Sequence, residues 1–208
     1  MEGHQIELGV KYEPPGRRAF VTLAAYEVVR NNVLSTDPEH PLFSVQGGEQ
    51  RSRGIEIEAR AQLTDALDLS VGFSTLDPEY TRGDQVGEHV KDVAEQTASI
   101  WATYTFNGVL EGLELGGGAH YTGASYAADE LDLFGDGNPF DVRVPSYTLI
   151  DLVASYTTAI ANTPLRFALT ANNVADKRHV TSCYLADFTH WCWFGAERTV
   201  EATVQARF

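Results

Sequence analysis

The sequence has no run of about 18 apolar residues, the length a membrane-crossing helix needs. That absence excludes a helical membrane span. It leaves a barrel open, because a barrel strand is only about 10 residues of alternation and scores weakly on hydropathy. Basic charge is also scarce: 15 Lys and Arg stand against 29 Asp and Glu, for a net charge of -14. Such a chain repels a phosphate backbone, so nucleic acid is not an expected partner. The six histidines, His4, His40, His89, His120, His179 and His190, are scattered without strand or helix ligand spacing, and no metal site is expected. Asp129, Glu130, Asp132, Asp136 and Asp141 miss a calcium-loop pattern, with Phe134 where an oxygen ligand would fall, and read as a solvated loop. There is no nucleophile elbow, phosphate loop or dinucleotide fingerprint, hence no expected catalytic residue, enzyme activity or cofactor. Only two cysteines occur, Cys183 and Cys192, and without nearby paired ligands they make a poor zinc site. The stretch Met1-Glu2-Gly3-His4-Gln5-Ile6 has neither a basic start nor an apolar segment of a secretory signal.

What the chain does have is alternation. Hydrophobic residues make up 43% of it, yet mean hydropathy is only -0.21. In Gly54 to Leu63, Ile55, Ile57, Ala59, Ala61 and Leu63 alternate with Glu56, Glu58, Arg60 and Gln62. That is the period of a strand with one apolar and one polar face. Gln5 to Tyr12, Leu67 to Ser74, Thr97 to Phe106 and Thr199 to Phe208 repeat the pattern. Further strands are expected at Ala19 to Val29, Leu113 to Ser125, Tyr147 to Tyr156 and Leu165 to Asn173, about nine in all. Glycines 116, 117, 118 and 123 inside one of them signal a bend or a close backbone approach. The connections alternate in length: short at 13–17, 64–66, 107–112 and 159–164, long at 31–49, 77–93, 126–145 and 181–194. A soluble sandwich gives no reason for that regularity, whereas membrane barrels set short turns opposite long loops. Tyr12, Tyr104, Phe106 and Phe208 fall where strands approach the short-turn side, as an aromatic girdle requires.

The last 44 residues narrow the reading. Asn172-Asn173-Val174-Ala175-Asp176-Lys177-Arg178, then Cys183-Tyr184, then Cys192-Trp193-Phe194-Gly195-Ala196-Glu197-Arg198 and a terminal Arg207-Phe208 resemble the C-terminus of TonB-dependent siderophore receptors. The paired cysteines before Gly-Ala-Glu-Arg look like the ferrichrome, hydroxamate-type branch. The resemblance implies an all-β, transmembrane antiparallel barrel of about 22 strands, of which residues 1–208 would be a C-terminal meander segment lacking plug domain and signal peptide. It implies a place in the outer membrane against lipid, a ferric siderophore as cargo, and energy from TonB acting through the absent N-terminal region. It also implies, with the oxidising compartment, a Cys183–Cys192 disulfide. In similar receptors the aromatic after the first cysteine reaches the ligand, a position held here by Tyr184. Trp191, Trp193 and Phe194 are candidates for the same vestibule. Val200, Val204 and Phe208 mark the closing strand of such barrels. The rival readings are a TonB-dependent receptor for cobalamin or a sugar, and a soluble β-domain that binds or supports. As a fragment the chain is expected to be insoluble and transport-inactive alone, since lipid offers an open sheet edge no hydrogen bonds.

Overall fold

The computed structural model describes residues 1–37, 39–40, 42–83, 85–131, 140–160, 163–186 and 189–207. Among the described residues there are thirteen strands: β1 Glu2–Tyr12, β2 Ala19–Thr36, β3 Ser44–Gln62, β4 Leu67–Arg82, β5 Gln96–Thr105, β6 Leu113–Thr122, β7 Ser125–Leu131, β8 Phe140–Val144, β9 Tyr147–Ile160, β10 Thr163–Asn172, β11 Val180–Ala186, β12 Thr189–Phe194 and β13 Thr199–Ala206. Nine of them form one antiparallel sheet in the order β1-β2-β3-β4-β5-β6-β9-β10-β13, a meander with β1 and β13 at its edges. The other four make two separate hairpins, β7–β8 and β11–β12.

Cross-strand register carries the alternation across the sheet. Val10, Leu23, Ile57, Phe73 and Ala98 form one row of partners, and Leu8, Ala25 and Ile55 lie on the same face beside it. A second row on the same face runs from Leu69 through Ala102, Gly117 and Leu152 to Ala171 and Val200. One face of the sheet is therefore a continuous apolar band, with Leu8, Ile55, Ile100, Leu152 and Val204 all exposed. The other face carries Glu56, Glu58, Arg60, Ser74, Thr97, His120 and Asp151. Its side chains pair with one another: Glu58 with Arg60 at 3.1 Å, Ser74 with Thr97 at 2.9 Å, and Arg166 with Glu114 at 3.2 Å. Apolar outside and ion-paired within is the reverse of a water-soluble domain. Among the described residues the buried apolar ones are few: Ala24, Val29, Val33, Ala127, Val144 and Cys183. Toward the long loops the apolar face turns charged, where Arg53 pairs with Glu27, Arg51 with Glu79, and Arg82 with Glu49 at 3.5 Å.

The short connections follow from turn chemistry. In Pro14-Pro15-Gly16-Arg17 the Arg17 N–H donates to the Pro14 carbonyl at 3.2 Å, with Gly16 at φ +71° as a type II turn demands. At the second turn the Thr64 hydroxyl accepts from the Ala66 and Leu67 N–H groups, at 3.2 and 3.0 Å. Tyr104 and Phe106 meet edge to face at 4.8 Å beside the third.

The long connections depart from the sequence reading. Residues 31–49 are mostly strand, because β2 and β3 stay paired out to Thr36 and Ser44. Likewise β4 runs to Arg82, so the second long loop is shorter than 77–93. The segments at 126–145 and 181–194 each contain a hairpin, and β6 stops at Thr122 instead of Ser125. Polar and glycine-rich composition reads as loop, yet these segments form ladders, with Val33, Ser35, Ala127, Val144 and Cys183 buried among them. Asp132, Phe134, Asp136 and Phe208 lie outside the described residues.

The strand glycines make room for a side chain. A Cβ at Gly118 would stand 2.6 Å from Trp101 Cε3, and one at Gly116 3.1 Å from Trp101 Cζ2. Trp101 thus lies against bare backbone, its indole N–H donating to the Thr103 hydroxyl at 3.0 Å. Gly118→Val should lower stability by about 1–3 kcal/mol through overpacking. The denaturation midpoint is the readout, and Gly47→Ala, whose Cβ would meet nothing nearer than 3.8 Å, should leave it unchanged.

Candidate functional site

The two loop hairpins and the 83–95 segment gather at the long-loop end of the sheet. The β11–β12 hairpin is the centre of this group. Cys183 and Cys192 face each other across its ladder, with Cα atoms 4.1 Å apart, and are joined as a disulfide. Closing so short a loop removes about 3 kcal/mol of unfolded-chain entropy. Tyr184 pairs with Trp191 in the ladder, Ser182 with Trp193 and Val180 with Phe194. Trp191, Trp193 and Phe194 expose 57%, 53% and 72% of their surface. Alternation places Trp191 and Trp193 on one face of β12 and Phe194 on the other. The hairpin thus presents two indoles side by side to solvent. Cys183 is buried, packed against Ala127 and Val144 of the neighbouring hairpin and against Val180.

The base of the hairpin is a polar clamp built by the Asn-Asn-x-x-Asp-Lys-Arg run. Asn173 is buried, with a left-handed φ of +50°, a conformation asparagine tolerates better than most residues. Its amide donates to the Lys177 carbonyl at 2.9 Å and the Ala196 carbonyl at 3.1 Å, and its carbonyl accepts the Lys177 N–H at 2.8 Å. Its own N–H donates to the Asp151 carboxylate of β9 at 2.7 Å. Asp176, at φ +53°, accepts the Arg198 N–H at 3.0 Å, and Arg178 pairs with Glu197 at 3.1 Å. The motif before the cysteines and the Gly-Ala-Glu-Arg after them are thus two sides of one junction. Gly195 donates its N–H to the His179 carbonyl at 2.9 Å, and a Cβ there would overlap the His179 ring. His179 in turn leans on Tyr147, ring centroids 4.3 Å apart. These positions carry no chemistry of their own; they fix where the hairpin stands.

Chemically the site offers aromatic surface, hydroxyls and backbone amides. Among the described residues no three His, Cys, Asp or Glu side chains converge as metal ligands. On β13, Val200 and Val204 lie exposed on the apolar face, 62% and 66% accessible. Sequence reasoning missed Asn173 and Asp151 as supports of the hairpin. The left-handed Asn173 was foreshadowed by the Asn-Asn pair; Asp151 had no signal.

The comparisons agree with this geometry. The family model described as "TonB dependent receptor-like, beta-barrel" matches residues 1–174. The chain is 42% identical to the ferrichrome outer membrane transporter/phage receptor of Escherichia coli K12, over 100% of its own length and 26% of that protein's. It is 34% identical to the ferrioxamine B receptor of Salmonella typhimurium SL1344, again over 100% of its length and 28% of that protein's. The crystal structure of BauA, the ferric preacinetobactin receptor of Acinetobacter baumannii, superposes with a TM-score of 0.78 at 26% identity, over 98% of this chain and 29% of that one. The chain belongs to the β-barrel family of TonB-dependent receptors, and it spans about a quarter of the length of the curated relatives it matches.

If the Asn173 clamp sets the hairpin, Asn173→Ala strands buried carbonyl and N–H groups at about 1–3 kcal/mol. Amide exchange at Gly195 should then speed up markedly. Asn172→Ala, which loses only a 3.3 Å bond to the Thr199 hydroxyl, should leave it slow.

Proposed function

We propose that the chain forms part of the barrel wall of an outer-membrane receptor for ferric siderophores of the hydroxamate type, with the disulfide-closed hairpin among its ligand contacts. The observation that carries this is a sheet apolar on one face and ion-paired on the other, crowned by a hairpin that presents Trp191 and Trp193 to solvent. In that setting the apolar band faces lipid and the polar face lines the lumen. Relatives whose names state ferrichrome and ferrioxamine B transport or reception support the hydroxamate class.

The chemistry of such a cargo suits the site. Iron arrives with its coordination filled by the chelator, so the receptor needs aromatic surface and hydrogen bonds, not metal ligands. Iron is then cargo and not a cofactor. Tyr184, Trp191, Trp193 and Phe194 supply the contact surface in this reading. Release into the periplasm draws on TonB acting through the rest of the receptor. The free edges β1 and β13 need further strands, because every backbone group in lipid must find a partner within the protein. We place residues 1–208 as one segment of such a barrel, closed by strands of the same receptor.

The test is a chimera in which this chain replaces the matching segment of the E. coli ferrichrome transporter, produced in a receptor-deficient host. Radio-iron ferrichrome should bind and be taken up. Combined Trp191→Ala and Trp193→Ala should raise its Kd about tenfold or more, the loss of roughly 1.4 kcal/mol or more expected of central aromatic contacts. Surface abundance should not change. Equal affinity in parent and variant would remove the hairpin from the site.

A further inference from the structure

The polar face of the sheet, the lumen side in the functional reading above, is hollowed near its long-loop end. There Tyr26, Val28 and Arg30 of β2 stand opposite Gly54, Ser52 and Gln50 of β3, continuing the face of Glu56. Between these residues, Leu76 of β4 and the 83–95 segment lies a hollow of about 260 Å³. We propose that this hollow is a subsite for the ferric siderophore, in which Arg30 meets the iron-bound oxygens of a hydroxamate chelate; this rests on that functional reading.

The donor set comes first. The polar side chains lining the hollow are Tyr26, Arg30, Gln50 and Ser52, all hydrogen-bond donors, and no carboxylate lines it. In a ferric hydroxamate the iron-bound oxygens share negative charge and have no hydrogen to donate. Val28, Leu76, Val90 and Val93 supply apolar surface for the hydrocarbon arms of such a chelate. The charge comes second. At this end of the sheet Arg51, Arg53 and Arg82 each hold a carboxylate on the opposite face, whereas Arg30 is exposed and, among the described residues, has no ion-pair partner. Its guanidinium fork is therefore available to a ligand oxygen.

The hollow is also formed before any ligand arrives. A Cβ at Gly54 would stand 2.6 Å from Tyr26 Cζ, so the Tyr26 ring lies over bare backbone. On the other side the segment carrying Val90 and Val93 is fastened to β4. The Tyr80 N–H donates to the Glu88 carbonyl at 2.9 Å, Val90 to Pro78 at 3.0 Å, and Leu76 to Glu95 at 2.8 Å. A wall held in this way orders little on binding, which favours affinity. Sites that enclose a whole small molecule run from about 300 to 1,000 Å³. This one is smaller, so it takes one edge of the chelate and leaves the rest to other contacts.

The experiment uses the ferrichrome chimera and two variants. Arg30→Gln keeps an amide donor and removes the charge, and should raise the ferrichrome Kd about tenfold, with surface abundance unchanged. Arg53→Gln, on the opposite face, should leave the Kd as it is. Ser52→Cys places a thiol in the hollow of intact cells. A water-soluble maleimide should label it readily, and saturating ferrichrome should slow labelling about fivefold or more. An unchanged Kd in Arg30→Gln, an equal loss in Arg53→Gln, or labelling of Ser52→Cys that ferrichrome does not slow would overturn the proposal. A thiol unreactive with or without ferrichrome would overturn it as well, because another part of the receptor then fills the hollow. A parent chimera that binds neither ferrichrome nor ferrioxamine B contradicts the functional reading and the subsite with it. A parent that binds while its variants fail these tests contradicts the subsite alone.

Discussion

Strand register is the constraint on which this structure depends. Each strand of the sheet has two faces of opposite character, and each is paired so that like faces align. Leu23 stands opposite Ile57, Ile57 opposite Phe73, and Phe73 opposite Ala98. Slipping β3 by one residue would put Glu56, Glu58 and Arg60 in the apolar band, at up to roughly 2–4 kcal/mol each near the midplane of a bilayer and less for glutamate. A soluble sandwich resolves the same pattern by folding apolar face onto apolar face. Here that face stays open across all nine strands, and the sheet makes sense only against lipid.

The polar end of the sheet obeys a different rule. Beyond the Arg53–Glu27 and Arg51–Glu79 pairs the apolar band ends, yet pairing continues and the strands run on into the loops. Rigidity there comes from few and specific contacts: a disulfide, the buried Asn173 with its five hydrogen bonds, and the small apolar cluster of Ala127, Val144 and Cys183. That arrangement separates two tasks along one chain. The banded region keeps the strands in register, and the clamped hairpins hold Trp191 and Trp193 at the surface.

The legibility of the sequence follows the same division. Alternation exposed the strands of the sheet, and Pro14-Pro15-Gly16 and Thr64-Asp65-Ala66 exposed the turns, because lipid on one side and turn geometry on the other leave residue-level marks. The hairpins formed by β7–β8 and β11–β12 left none, since each is short and buries only a few side chains against the other. The Asn-Asn-x-x-Asp-Lys-Arg run was recognisable by resemblance, but its role emerged only when Asn173 was seen to bind Ala196, 23 residues away. The strand glycines announced a close approach without saying that Trp101 makes it.

The central claim is that one face of this sheet meets lipid. Spin labels placed one at a time on residues 55 to 60 of β3, in the ferrichrome chimera reconstituted in lipid vesicles, test it directly. Collision with oxygen, which concentrates in the hydrocarbon, should be high at 55, 57 and 59 and low at 56, 58 and 60. A profile without that period of two, or one with the opposite phase, would contradict the account.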